Sequence, residues 1–185
     1  YVMDEGAEGM GTDGLYLYYH PQYLGGLYRE DRIQVNRIYL HLVLHGIFRH
    51  MVRRRGREER LYHLACDIVT ESMIDGMQHR CVLKSRSWLR RETYRKLHKE
   101  MKVLTAEKVY GVLIRWKLSE DEMVRMEAEF RMDDHSYWPS DDDQKKQEQI
   151  EQRWKDISEQ METDMETFSQ EASAESGNLV EQVRV

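Results

Sequence analysis

Residues 31–55, DRIQVNRIYLHLVLHGIFRHMVRRR, decide how the rest of the chain is read. Ile38, Tyr39, Leu40, Leu42, Val43, Leu44, Ile47, Phe48, Met51 and Val52 place apolar side chains on almost every side of the centre. A segment of that length and composition predicts a helix buried all round, not a surface amphipath. Into this apolar helix the sequence sets His41 and His45. Residues four apart stand one above the other on a helix, so the two imidazoles share a face. Two histidines at this spacing either grip a transition metal, commonly zinc, or sit as hydrogen-bonded core residues.

Working back from the helix, residues 1–14 carry four glycines among acidic and threonine positions and read as a loose, turn-rich entry. The Tyr- and Leu-rich run that follows predicts a short strand over 15–19, stopped by Pro21, with Gly25 and Gly26 punctuating before the helix. Such a strand either runs along a cleft and pairs with an extended peptide or closes the core as an edge. Beyond the helix, Gly56 is a stop signal. The five arginines from Arg53 to Arg60 suit the negative end of a helix dipole or phosphate contacts. No aromatic residue interleaves them, so base stacking has no support.

A second helix is predicted over 61–77, with Leu61, Leu64, Ala65, Ile68, Val69 and Met73 on its apolar side and an end near Gly76. His63, Asp67 and Glu71 recur every four residues and share another face. Carboxylates on an apolar helix are costly to bury unless they are paired or bind a metal. They face solvent, pair with one of the many arginines, or serve a site. Further helices are expected from about Ser87, after Thr105 as N-cap, and after Ser119, whose spacing to Glu122 is a capping box. The segment DDHSYWPSDDD then forms a loop holding Asp133, Asp134, His135, Trp138 and Pro139. A polar helix over 144–171 has a narrow apolar stripe (Ile150, Trp154, Ile157, Met161, Met165, Phe168) and should lie across the surface of the body.

The 185 residues, 40% hydrophobic and 34% charged with only 2 Pro, predict one helix-rich domain over 1–175. Residues 172–185 read as a linker or tail toward a C-terminal domain that this chain does not contain. No apolar run approaches the roughly 18 residues that span a membrane, so no membrane partner is expected. Cys66 and Cys81 lack a metal-knuckle spacing and fit a reducing compartment, and no signal peptide is visible; the cytoplasm is the expected location. The net charge of −6 divides into −4 over 1–30 (1 basic, 5 acidic), +9 over 31–110 (18 basic, 9 acidic) and −11 over 111–185 (9 basic, 20 acidic). Acidic ends neutralising a basic middle argue against a nucleic-acid partner.

Taken in order, TDGLYLYYHP, HLVLHGIFRH, LYHLACDIVTE and DDHSYW resemble the N-terminal domain of the zincin-type metallopeptidases associated with von Willebrand factor A-like domains and MoxR-type ATPases. That family shows a Thr-Asp-Gly strand, a helix with His-Glu-x-x-His and a further His about five residues on, a helix with Ala-x-Asp, and an Asp-Asp-His-x-x-Trp segment. The resemblance covers about residues 12–154. It implies an α+β, predominantly helical zincin-like fold with a short strand layer. It also implies zinc held by His41, His45 and Asp67, with His50 behind the ligands or packed beneath the site. Two positions depart from the pattern. Leu42 stands where the family has the glutamate that deprotonates the zinc-bound water, and Glu71 stands where the family more often has Asn. Losing a positioned general base costs on the order of 10²–10⁴ in rate.

The expected function is therefore a zinc-binding, metallopeptidase-like domain whose peptidase chemistry is lost or weakened. It would act as a binding or regulatory module for a polypeptide, with a MoxR-type ATPase as a family-implied partner. The alternative is an active peptidase in which Glu71 replaces the base and His135 steadies the oxyanion. A third is a basic nucleic-acid-binding helical protein without metal.

Overall fold

The computed structural model describes residues 1–168, with side chains through 164. The last three residues of the helix expected over 144–171, and the tail expected over 172–185, lie outside the described residues. The order is β1 (Val2–Met3), β2 (Met10–Thr12), β3 (Leu17–Tyr19), α1 (Pro21–Glu30), α2 (Arg32–Ile47), α3 (Glu59–Met77), α4 (Trp88–Glu100), α5 (Ala106–Trp116), α6 (Glu120–Phe130) and α7 (Gln144–Phe168). Short 3-10 turns stand at His50–Val52 and His135–Tyr137. With 65% helix and one small sheet, this is a predominantly helical α+β domain. Among the described residues no helix is long and apolar enough to cross a membrane.

Local chemistry explains most of the helix starts. Ser87, Thr105 and Ser119 each accept a backbone N–H from the first turn of α4, α5 and α6, and Glu122 completes the capping box with Ser119. Two expectations are corrected near the N-terminus. The strand ends at Tyr19 as expected, but Pro21 opens a helix where a turn was expected, because its fixed φ suits the first helical position and the His20 side chain caps Tyr23 N–H. Gly25 and Gly26 therefore lie inside α1. The strand before α2 also has no free edge: the sheet order is β1-β3-β2, with β1 parallel and β2 antiparallel to β3. It cannot receive a peptide along its side.

The long buried helix is also shorter than its apolar run suggests. α2 ends at Ile47, and Arg49 adopts a left-handed conformation (φ 56°) that turns the chain into the His50–Val52 turn. His50 is thereby folded back toward α2. The main core lies between α2, α3, α4, α5 and α6, with α3 at its centre: Leu64, Ala65, Ile68, Val69 and Ile74 are all but inaccessible. A smaller core joins Met10 of β2 to Ile38 and Leu42 of α2.

α7 lies across this body. Ile150 is fully buried, and Trp154 sits on Gly46, where a Cβ would lie 2.2 Å from its ring. The Trp154 indole N–H donates to Gly14 O at 2.7 Å. Gly14 has φ +89°, which closes the turn after Thr12 and Asp13. Asp13 accepts the N–H groups of Leu15 and Tyr16 and meets Lys146 of α7 at 2.9 Å.

Candidate metal centre

α2 and α3 face one another so that His41 and His45 meet Asp67, and the chain between α6 and α7 closes the group with Asp133 and His135. All five side chains are buried: His41 and His45 completely, Asp67 to 2%, Asp133 to 6% and His135 to 7% exposure. One potential ligand atom from each lies within 4.8 Å of all the others. The Nε2 atoms of His41 and His45 are 2.8 Å apart. Asp67 Oδ1 is 3.3 Å, 3.4 Å and 3.2 Å from Nε2 of His41, His45 and His135. Asp133 Oδ1 is 3.3 Å, 3.8 Å and 2.9 Å from the same three atoms.

These distances suit donors arranged around one ion. Two ligands each about 2.1 Å from a metal and about 90–120° apart are about 3.0–3.6 Å from each other. The hydrogen-bond inventory agrees. Both oxygens of Asp133 and Nε2 of His135 are buried without a hydrogen-bond partner among the described residues, although Asp133 Oδ1 and His135 Nε2 stand 2.9 Å apart. Close approach without hydrogen-bond direction is what atoms aimed at a common point show. Orphaned buried polar groups are rare and cost free energy, so the donor set fits a bound cation.

The outer nitrogens are held from behind. Glu71 Oε1 lies 3.0 Å from His41 Nδ1, which leaves Nε2 free to face the group. His50 Nδ1 lies 2.8 Å from His45 Nδ1 and does the same for that ring. Glu71 itself is fastened by Arg37 and by Arg90, the latter at 2.5 Å. Glu71 thus sits on the Nδ1 side of His41, opposite the convergent Nε2 atoms. His135 stands among the convergent donors instead of beside them. His63, one turn before Asp67 on α3, remains at the rim, 4.7 Å from the His135 ring centroid.

Charge follows the geometry. Burial disfavours the His41 cation, but Asp133, Asp67 and Glu71 outweigh it and hold the imidazole pKa well above its ordinary value. Burial likewise opposes charging of His135, yet Asp133 and Asp67 raise it to about 9. His45, buried beside His41, falls to about 4, and burial takes His63 to about 3. Burial favours the neutral acid at Asp67 and Asp133, but the neighbouring histidines outweigh it and hold both carboxylates ionised far below the usual range. Two ionised carboxylates therefore sit buried, balanced by protons on histidine.

Leu42, the residue after His41, is 1% exposed and packs into the smaller core with Met10 and Ile38. No acidic side chain occupies that position. Beside Asp67 and His135 a hollow of about 300 Å³ opens, bordered by Glu59, Arg60, His63 and Arg131. Asp133 was not singled out as a ligand by sequence reasoning. Its signal is the Asp133-Asp134-His135 run, in which alternate residues point the same way in an extended loop.

A protein-family model described as "Putative metallopeptidase domain" matches residues 1–184. Comparisons with curated proteins and with solved structures return no match. The buried His/Asp group and the near-complete coverage agree, and the chain belongs to this metallopeptidase-domain family.

Proposed function

We propose that the domain binds zinc through Nε2 of His41, His45 and His135 and through the carboxylates of Asp67 and Asp133, and that it has lost or greatly weakened peptidase activity. The observation that carries this reading is the convergence of five buried donors, three atoms of which lack a hydrogen-bond partner among the described residues. Bound zinc supplies Lewis acidity and lowers the pKa of a coordinated water to about 7 in hydrolytic sites with three protein ligands and an open position. Five donors from this chain exceed that number. The residue that would take up the proton is Leu42, which has no titratable group. Glu71 is occupied by His41, Arg37 and Arg90 and positions His41 instead of replacing the base. His50 does the same for His45, and His135 is a ligand instead of an oxyanion donor.

In this reading the domain is a polypeptide-binding or regulatory module of the cytoplasm, with a MoxR-type ATPase as candidate partner. The hollow beside Asp67 and His135, with arginines and glutamates on its rim, is the surface offered to a polypeptide. Metal analysis of the purified protein should find about one zinc per chain, and His41→Ala and His45→Ala should abolish it. If Leu42→Glu gains peptidase activity over an inert parent, the missing base alone had silenced the site. A metal-free wild type would overturn the reading.

A further inference from the structure

Asp133 and His135, two of the five donors, belong to the short segment between α6 and α7, and this segment is fastened to the three-stranded sheet. The Asp134 N–H donates to Met10 O of β2 at 2.8 Å, and Gly11 and Asp134 form a parallel bridge. Tyr137, two residues beyond His135, lays its ring on Tyr18 of β3 with centroids 4.4 Å apart and planes 7° from parallel. Its hydroxyl donates to the Asp4 carboxylate at 2.7 Å. Gly11 is the residue this contact requires. A Cβ there would lie 2.5 Å from the Tyr137 ring and 2.6 Å from Asp134 O. The segment lies flat on the strand only because no side chain separates them.

None of Asp4, Tyr18 and Tyr137 is among the convergent donors, and none belongs to the helical core. All three are partly exposed. Their contacts hold a loop, not the fold. Ligands preset in position cost less to order when the ion arrives, so whatever presets them raises affinity. We propose that Tyr137, clasped by Tyr18 and Asp4, is a positioning residue for the metal centre, setting Asp133 and His135 in place for the ion. The proposal rests on the reading that this centre holds zinc. Coupling is reciprocal, so a bound ion tightens the sheet by the factor with which the sheet tightens the ion.

The test measures zinc affinity by competition with a chromophoric chelator. It is run on wild type, Tyr137→Ala, Tyr137→Phe and Asp4→Asn, alongside melting of the metal-free forms and visible spectra of the cobalt-substituted forms. Supporting groups around metal ligands typically account for 10–100-fold in affinity, and Tyr137→Ala should lose about that much. Its cobalt spectrum should shift toward that of Asp133→Ala, while its metal-free melting stays close to wild type. Tyr137→Phe keeps the stack and should recover most of the affinity. Asp4→Asn, which leaves the stack and the core untouched, should show a smaller loss. Wild-type affinity and spectrum in Tyr137→Ala, or a loss that only follows lower metal-free stability, would overturn the proposal. Should Tyr137→Ala not fold, wild-type affinity in Asp4→Asn would overturn it equally. If wild type itself takes up no zinc or cobalt, the metal reading fails first and takes this inference with it.

Discussion

Two buried polar clusters lie one turn apart on α3, and they are built on opposite principles. Around Glu71 and Asp75 every charge has a protein partner. Arg37 meets Glu71, and Asp75 at 2.9 Å; Arg90 meets Glu71 at 2.5 Å and Asp75 at 3.3 Å. Tyr94 donates to Asp75 at 3.0 Å, and Arg37 also donates to Val82 O at 2.8 Å. Arg90 also meets Glu129 at 2.9 Å, so two arginines serve three carboxylates. Around Asp67, no arginine or lysine among the described residues pairs with the carboxylates; two carboxylates face three imidazoles, and Asp133 and His135 keep atoms without a hydrogen-bond partner. The first cluster pairs its carboxylates with arginines, and the second sets its carboxylates among histidines in a group that could hold a cation. Burial alone does not mark a site; buried polar atoms left without hydrogen-bond partners do. Glu71 touches both clusters, carrying the rigidity of the first to a ring of the second.

The sharpest way to break this contrast is to remove metal. At free zinc about 1,000-fold above the dissociation constant, binding to the folded state alone adds about 4 kcal/mol. EDTA should remove that increment from wild type and leave Asp67→Ala and His45→Ala unmoved, as read by thermal melting. A chelator without effect on wild type would put the two clusters in one class.

Breaking the self-contained cluster should cost a similar amount, but without reference to metal. Arg37→Met leaves buried carboxylates underpaired, a loss of about 3–5 kcal/mol. Urea unfolding should show it with and without zinc. If the loss appears only in the metal-bound form, the Arg37 network serves the centre alone.

Protons give a third separation. Metal ligands must be deprotonated, and in the metal-free protein His41 and His135 hold protons beyond the ordinary range, His135 to about 9. Their raised pKa values stabilise the metal-free fold fully below about 6.5, a contribution lost as pH rises through the folded values. On the proposed zinc reading, affinity should therefore rise with pH across the neutral range, with binding releasing up to about two protons. Calorimetry in buffers of different ionisation enthalpy counts them, and a release of zero would contradict the charge balance described here. The smallest effect belongs to Tyr94→Phe. It removes one hydroxyl from Asp75 and should cost about 1 kcal/mol by urea unfolding, with zinc affinity unchanged.

Much of this was legible residue by residue. The caps at Ser87, Thr105 and Ser119 are local hydrogen bonds, and the shared face of His41 and His45 is a property of helical spacing. The misreadings were local too. Pro21 breaks a strand and begins a helix with the same fixed φ, and only the His20 cap and the following packing choose. The apolar run after Ile47 looks helical, but Arg49 turns it, and that turn brings His50 back to His45.

The chain's own order of residues determined most of the helices but not α1, which face of α2 carries two imidazoles, and that Leu42 holds no proton-transfer group. Only the tertiary structure decided that Glu71 faces Arg37 and Arg90, that His135 joins the donors, and that Asp133 is a fifth. Helical periodicity is set by neighbours three and four residues away, so a sequence displays it. Convergence of α2, α3 and the loop before α7 on one point depends on how whole helices pack, and no local pattern encodes that distance.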